Sequence, residues 1–407
     1  MSEIEFIPEE YIKNETMQEK KMPPPPFQER KGVMPPPPPG ARREKAIPPL
    51  PPSRERKGAI PPPLPFARKE KAVPPPFPPE ARKPKLEVIE MEKKFEFAGG
   101  ATTTTSPNHP ERNEDNFFLS KKRGFGGVFD GMGGEAAGEV ASFEASRVIL
   151  EQVKNLPENI SAQEASKKIQ EAILAANDRI RRVVEAHPEY RGTGCTASIA
   201  KLCENGKKIV VGQVGDSRVY RLREGRLERI SPEDSYVELL KKYGFISDDQ
   251  DVTQVISAKN IEDFCNQKLK TAISSEEKEE LDLLKQISLV GILKFEGKPT
   301  VNQIRHLISN AISGEEVKPH ILTFDVNEGD QYIITSDGVH DNLTDAEIQK
   351  IASQFRDKPQ EMSDVLVKTS YSRMLETHPR AKADDATAVV ISVAKVESAK
   401  KEATKAA

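Results

Sequence analysis

The chain has 407 residues, a formal net charge of −3, 36% hydrophobic residues and no tryptophan. That length accommodates one large domain or two ordinary ones. No run approaches the roughly 18 to 20 apolar residues of a membrane-spanning helix, and the acidic start lacks an apolar signal core. Its three cysteines, Cys195, Cys203 and Cys265, lack metal-ligand spacing. We therefore expect free thiols and a cytoplasmic protein without a membrane span.

Residues 23–86 form a basic, proline-rich arm. They contain 14 Lys and Arg against 5 Glu, whereas the rest of the chain contains 47 Lys and Arg against 59 acidic residues. Repeats such as PPPLPFARKEKAV recur every 12 to 13 residues and end in one aliphatic residue, which is too little to build a core. Proline favours the extended polyproline helix, so we predict a disordered, semi-rigid arm.

Two interpretations of this arm stay open. It displays repeated ligands for a proline-binding domain, or it is a solvated spacer without a dedicated partner. Few aromatic residues are interleaved for stacking on bases, so we expect no nucleic-acid binding.

Composition also sets the other boundaries. We predict a disordered N-terminal segment over 1–22, a globular domain over 87–396 and a Lys/Ala tail over 397–407. Within the globular domain, residues 241–300 are charged and predicted to be mostly helical, as an enlarged insert.

The sequence predicts both strands and helices through the globular region. The main predictions, in chain order, are strands between Lys85 and Thr105, a helix over Glu135 to Leu156, a second helix capped by Ser161 and Glu164, a strand from Ile209 to Val214, a hairpin around Glu224-Gly225, a helix start at Ser231-Pro232, a helix capped by Thr344 and Glu347, a helix over Met362 to Glu376, and a closing strand ending at Val393.

The stretch Val128 to Gly134 combines a short apolar strand, Asp130 and three glycines within four positions. Glycines allow a sharp turn and a close approach of the backbone to a small ligand. A carboxylate at such a strand tip suits a hard divalent cation. An ordinary strand–turn–helix junction explains the same residues equally well.

Four turns share this design of acidic residues set against an apolar run: Glu114-Asp115, Asp130-Gly131, Asp337-Gly338 and Asp384-Asp385. If the turns converge, repulsion between the carboxylates favours cations between them. Oxygen ligands without Cys or His favour Mg²⁺ or Mn²⁺ over zinc. Four unrelated surface turns remain the alternative, because Asp-Gly is common in turns.

The order of these motifs resembles the metal-dependent serine/threonine protein phosphatases of type 2C, in their bacterial form. The matching elements are Asn113-Glu114-Asp115, Asp130 to Gly134, Gly194-Cys195-Thr196, Gly215 to Arg218, Ser336 to Gly338 and Asp384 to Thr387. The resemblance covers roughly residues 88–396. It implies an α+β fold, a four-layer α-β-β-α sandwich of two antiparallel sheets, which here follows the proline-rich arm.

The resemblance also implies a site with two Mn²⁺ or Mg²⁺ ions. Asp130 would bridge both ions, the Gly131 carbonyl would bind the first, and Asp337 and Asp384 would bind the second. Glu114 and Asp115 would hold metal-bound waters. Asp130, Asp337 and Asp384 are thus the expected catalytic residues, and Asp216 is expected to support the fold rather than bind metal.

Three positions depart from the family pattern. Met132 replaces a histidine of animal members, and Asp385 replaces an asparagine beside the second metal. Pro110 stands where the family carries its phosphate-binding arginine, which leaves Arg112, or else Lys121, as the candidate for that role.

The resemblance implies hydrolysis of phosphoserine and phosphothreonine in proteins, with direct attack on phosphorus by a water or hydroxide between the metals. Two alternatives remain open. The chain is a weak or inactive family member that acts as a phosphoprotein-binding or scaffold module, or it is a phosphatase of small phosphometabolites.

Overall fold

The computed structural model describes residues 5–6, 95–133, 137–247, 251–272, 274–295 and 297–395. The predictions for residues 23–86 and 397–407, and for all of residues 1–22 except 5–6, lie outside the described residues. All of the described residues belong to one compact unit.

The first sheet has six strands, all paired antiparallel, in the order β1-β3-β4-β7-β8-β11. Its strands are β1 Glu5–Phe6, β3 Asn116–Ser120, β4 Phe125–Phe129, β7 Ala197–Cys203, β8 Lys208–Val214 and β11 His320–Asp325. Glu5 and Phe6 pair with Leu119 and Phe118 at the sheet edge. These two residues are the part of the N-terminal segment 1–22 that the structure describes.

The second sheet has five antiparallel strands in the order β10-β9-β12-β13-β2. They are β2 Phe95–Thr104, β9 Arg218–Arg223, β10 Arg226–Arg229, β12 Gln331–Thr335 and β13 Ala386–Lys395. The predicted hairpin at Glu224-Gly225 joins β9 to β10, and both turn residues have positive φ, which Gly225 adopts at no steric cost.

Helices cover the outer face of each sheet. The described helices are α1 Ala137–Val153, α2 Ala162–Ala186, α3 Tyr236–Lys242, α4 Ala258–Lys268, α5 Ser275–Phe295, α6 Val301–Ile304, α7 Asp337–His340, α8 Asp345–Gln354 and α9 Pro359–Met374. Both predicted caps form, since Ser161 accepts from the Glu164 N–H and Thr344 from the Glu347 N–H.

Strand alternation explains how the layers pack. Phe118 faces a core shared with α1 and α2, whereas its neighbours Phe117 and Leu119 face the core between the two sheets. On the second sheet, Ile333 packs outward against α8 and α9. Successive side chains of a strand point to opposite faces, so these strands are buried on both sides. The predicted α-β-β-α sandwich is confirmed.

The predicted insert is helical and has a hydrophobic core of its own. Leu240 of α3, Ile261 of α4, Leu284 of α5 and Val301 of α6 are all fully buried within one cluster. This cluster begins before residue 241 and continues past residue 300, so the packing unit is slightly longer than the predicted insert.

One predicted helix start is wrong. No helix begins at Ser231-Pro232; α3 begins instead at Tyr236, with Ser235 as its N-cap. The Ser231 hydroxyl accepts a hydrogen bond from the Val219 N–H of β9, at 2.9 Å, and is therefore committed to the sheet. Among the described helices none is long and apolar enough to cross a membrane.

Candidate metal centre

The four acidic turns lie at the tips of strands that neighbour one another. Asp115 precedes β3 and Asp130 follows β4, and these two strands pair in the first sheet. Asp337 follows β12 and Asp384 precedes β13, which pair in the second sheet. Packing the two sheets face to face therefore brings both pairs of turns to one end of the sandwich.

The backbone of Asp130 is held from both sides by Thr196. The Asp130 N–H donates to the Thr196 hydroxyl at 2.9 Å, and the Thr196 N–H donates to the Asp130 carbonyl at 2.9 Å. Thr196 in turn shares a 2.7 Å hydrogen bond with the Ser217 hydroxyl. Through Thr196 and Ser217, the motifs Gly194-Cys195-Thr196 and Gly215 to Arg218 thus position the backbone of Asp130.

Ser336 links the other three turns. Its hydroxyl donates to Asp115 Oδ2 at 2.6 Å and accepts from the Thr387 N–H at 2.9 Å. Since Ser336 directly precedes Asp337 and Thr387 closely follows Asp384, this one hydroxyl fixes the turns relative to each other.

Gly131 occupies a position where only glycine fits. A Cβ there would lie 2.3 Å from the Gly138 carbonyl oxygen and 2.5 Å from that of Glu114. The Gly131 N–H also donates to the Glu114 carbonyl at 3.1 Å. The backbone of the predicted first-ion ligand is therefore packed directly against the turn that carries Glu114.

The carboxylates of these turns act on one another electrostatically. Burial raises the pKa of Asp130 well above its usual range, and the carboxylates of Asp115, Asp337 and Asp384 raise it further. Burial also raises the pKa of Asp337 to about 7, although Lys382 acts in the opposite direction. Carboxylates in this proximity repel one another and call for positive charge between them.

Two carboxylate oxygen atoms in this cluster are suited to bind a hard cation. Asp115 Oδ1 and Asp337 Oδ1 are buried and accept no hydrogen bond from the described part of the chain. A buried carboxylate oxygen without a partner is unfavourable unless a cation binds it. The donor set, carboxylates with the Gly131 carbonyl nearby, suits Mg²⁺ or Mn²⁺. Within the described ranges, no three His, Cys, Asp or Glu side chains form a ready metal cage.

Comparison with known families decides the relationship. The family profile of protein phosphatase 2C matches residues 108–378, more than half of the chain. The chain belongs to the protein phosphatase 2C family.

Curated members of this family share parts of the sequence. The serine/threonine protein phosphatase PstP of Mycobacterium tuberculosis is 26% identical over 236 residues, which cover 58% of this chain and 35% of PstP. The serine/threonine phosphatase stp of Listeria innocua is 31% identical over 140 residues, 34% of this chain and 55% of that protein. The chain thus spans about a third to about half of the length of these relatives.

Solved structures share the protein phosphatase 2C fold. A crystal structure of PstP from M. tuberculosis has a TM-score of 0.53 at 24% identity and covers 73% of this chain and 99% of that one. The catalytic domain of PstP in complex with two manganese ions has a TM-score of 0.52 at 24% identity, with 74% and 100% coverage. At this identity the likeness establishes the fold.

Arg112 lies at the edge of the protein phosphatase 2C site. Its Nη2 pairs with Glu114 Oε1 at 3.0 Å, and its buried Nε donates no hydrogen bond to any residue that the structure describes. Burial raises the pKa of Glu114, whereas Arg112 lowers it. The guanidinium is thus close to the cluster, with one donor unused.

Asp385, the departure from the family pattern beside Asp384, accepts two backbone hydrogen bonds. Its Oδ1 accepts from the Ser106 N–H at 2.6 Å and its Oδ2 from the Glu114 N–H at 2.5 Å. The Asp385 carboxylate therefore orders the turn that carries Glu114 and Asp115, and its negative charge also raises the pKa of Asp115.

Met132 lies on a short strand beside a surface groove. Strand β5, Gly131–Met132, pairs with β6, Gly194–Cys195. Met132, Arg181 and Arg191 are among the residues that line the groove, whose volume is about 490 Å³. Met132, two residues after Asp130, is thus the link between the groove and the turn that carries Asp130.

Three charged residues of the cluster were not singled out as cluster members from the sequence. Asp216, predicted to support the fold, is buried, and its pKa is raised by burial and by Asp337. Asp341 lies one helical turn after Asp337, and Lys382 lies two residues before Asp384. The i, i+4 spacing of Asp337 and Asp341 was the available signal for Asp341.

Proposed function

We propose that this chain is a metal-dependent phosphoprotein phosphatase acting on phosphoserine and phosphothreonine. The observation that carries the proposal is the convergence of Asp115, Asp130, Asp337 and Asp384, with unpartnered buried oxygens on Asp115 and Asp337. Family membership and the named relatives, both serine/threonine phosphatases, support the same reaction.

Asp130, Asp337, Asp384 and the Gly131 carbonyl would hold two Mn²⁺ or Mg²⁺ ions, with Glu114 and Asp115 contacting them through water. When bound, such ions supply a nucleophilic water at neutral pH and neutralise the phosphoryl oxygens. The manganese-bound PstP structure supports this choice of ion.

The chain's own residues would position the acidic turns and the phosphoryl group. Thr196 and Ser336 hold the Asp130 and Asp115 turns through hydrogen bonds of 2.6 to 2.9 Å, so little reorganisation is needed when substrate binds. Arg112 would orient the phosphoryl group with its unused Nε donor, since a guanidinium recognises phosphate oxygens by directed hydrogen bonds.

The test is hydrolysis of p-nitrophenyl phosphate and of phosphothreonine peptides with Mn²⁺ by the full chain and its Asp337→Asn variant. We expect Asp337→Asn to lose activity on the order of 100-fold or more, because a charged metal ligand is removed. Asp263→Asn, an exposed change on α4, is the matched control and should keep full activity.

Absence of turnover by the purified chain with Mn²⁺ would contradict the proposal and favour a binding or scaffold role. Faster turnover of sugar phosphates than of phosphopeptides would favour the phosphometabolite alternative.

We propose in addition that residues 23–86 recruit a partner with a proline-binding domain. The repeated proline and basic clusters support this role. A cytoplasmic location is supported by the three cysteines, which are all free and buried.

A further inference from the structure

A lysine ammonium lies among the carboxylates proposed to bind the second ion. Lys382 Nζ donates to Asp337 Oδ2 and lies 3.1 Å from both Asp341 Oδ2 and Asp384 Oδ2. The Lys382 side chain is only 20% exposed. It therefore contacts both Asp337 and Asp384, the two carboxylates assigned to that ion.

The lysine is held in place by its backbone. Asn342, which is fully buried, accepts from the Lys382 N–H at 3.0 Å and donates to the Lys382 carbonyl at 2.9 Å. The same Asn342 amide donates to the Gly338 carbonyl at 2.9 Å. One side chain thus joins the turn that carries the ammonium to the turn that carries Asp337.

Two buried arginines fix the surrounding loops. Arg305 donates to the carbonyls of Asp341, at 2.7 Å, and of Arg380, at 3.0 Å. Arg380 donates to the His340 carbonyl at 3.0 Å. The hydrogen bonds of Asn342 hold the Lys382 backbone, and those of Arg305 and Arg380 hold the loops around it. Lys382 is therefore more restrained than a lysine on an exposed surface.

The charge around the lysine is strongly negative. Asp337, Asp341 and Asp384 contact Lys382, and Asp216 interacts electrostatically with Asp337 and Lys382. Arg305 adds a positive charge 3.3 Å from Asp341 Oδ2. An ammonium at the centre of such a group offsets the repulsion that a metal ion would otherwise have to offset.

We propose that Lys382 is a built-in cation that competes with the second divalent ion for Asp337 and Asp384. The inference rests on the proposed metal-dependent function. An ammonium and a divalent ion cannot share these oxygens, because like charges at contact distance repel strongly in a buried site. Binding of the second ion therefore requires the Lys382 side chain to leave, whereas Asp130 and Gly131 take the first ion without competition.

The experiment counts bound Mn²⁺ on the full, metal-free chain by the electron paramagnetic resonance signal of the free ion. For Lys382→Met, which keeps the length but removes the charge, we expect the second ion to bind about tenfold more tightly than in the natural chain. The first ion should bind with unchanged affinity. Lys167→Met, the same change at a lysine 74% exposed on α2, should leave both affinities unchanged.

A second readout follows from the same competition. When a chelator keeps the protein free of metal, Lys382→Met should unfold at a lower temperature than the natural chain, because its carboxylates lack a counter-charge. With saturating Mn²⁺ the order should reverse, since the bound ion then stabilises the variant more. Lys382→Gln, which keeps a hydrogen-bond donor, is measured in the same way if Lys382→Met does not fold.

The outcomes separate the two proposals. If Lys382→Met binds two ions, each with the same affinity as in the natural chain, the proposed competition is wrong and the proposed function still stands. No Mn²⁺ binding by either protein would overturn both.

Discussion

At the scale of single residues, the metal centre depends on uncharged neighbours as much as on its carboxylates. Thr196 contacts both backbone groups of Asp130, and Ser336 contacts Asp115 and Thr387. A carboxylate cluster held only by its own side chains would spread to lower its repulsion. The hydroxyl-bearing residues therefore keep the acidic groups close enough to need a cation.

Replacing Thr196 with valine tests this positioning role. The change keeps the shape but leaves the Asp130 N–H and the Ser217 hydroxyl without their partner, which costs roughly 1–3 kcal/mol of unfolding free energy. Urea denaturation measures the loss. We also expect weaker Mn²⁺ binding, since the Asp130 turn is released.

Thr323→Val on β11 is the control, because Thr323 is exposed and its hydroxyl has only a 3.4 Å contact. Thr323→Val should change the free energy of unfolding by no more than about 0.5 kcal/mol. Equal stability and equal Mn²⁺ affinity of Thr196→Val and the natural chain would show that Asp130 is positioned by other contacts.

The sequence was sufficient to single out Asp130 and Asp337, because each sits in a motif whose order along the chain is informative. It was not sufficient for Lys382, which lies 45 residues from Asp337 and contacts it only through the fold. Spacing along the chain carries no information about such a contact. Asp385 illustrates the same limit, since its neighbours Ser106 and Glu114 come from a distant turn.

At the scale of elements, the strands were predictable and the irregular joints were not. Short continuous apolar runs predict β3 and β12, and the capping pairs predict the starts of α2 and α8. Ser231-Pro232 carries an equally good helix signal, yet the strand β9 claims the Ser231 hydroxyl. Local propensity yields to a tertiary hydrogen bond when both compete for one group.

The insert is the element whose independence is easiest to test. Leu284 on α5 is fully buried in the core of the insert, whereas Leu289 on the same helix is 58% exposed. Leu284→Ala should destabilise the insert by roughly 2–5 kcal/mol through the lost contacts and the cavity. Hydrogen exchange should then quicken in α4 and α5 and stay slow in β7 and β8.

Leu289→Ala is the matched control and should change exchange very little. If Leu284→Ala speeds exchange in β7 and β8 as much as in α4 and α5, the insert does not unfold as a separate unit.

At the scale of the whole molecule, charge is divided along the sequence. Residues 23–86 carry a net charge of +9 and the remainder a net charge of −12. The acidic body suits metal loading, but it repels acidic phosphopeptides on approach. The basic arm attracts them, and such long-range attraction acts on association more than on the chemical step.

Deleting residues 23–86 tests this division. For an acidic phosphopeptide at low salt, we expect KM to rise several-fold and kcat to stay unchanged, because the arm assists encounter and not hydrolysis. For p-nitrophenyl phosphate, which carries no acidic group besides its phosphate, both constants should change little. In 0.5 M salt the difference between the two proteins should vanish, since the Debye length falls to about 4 Å and the arm is screened.

A lower kcat for the deleted protein on either substrate would contradict this account, because it would place the arm in the hydrolytic step itself.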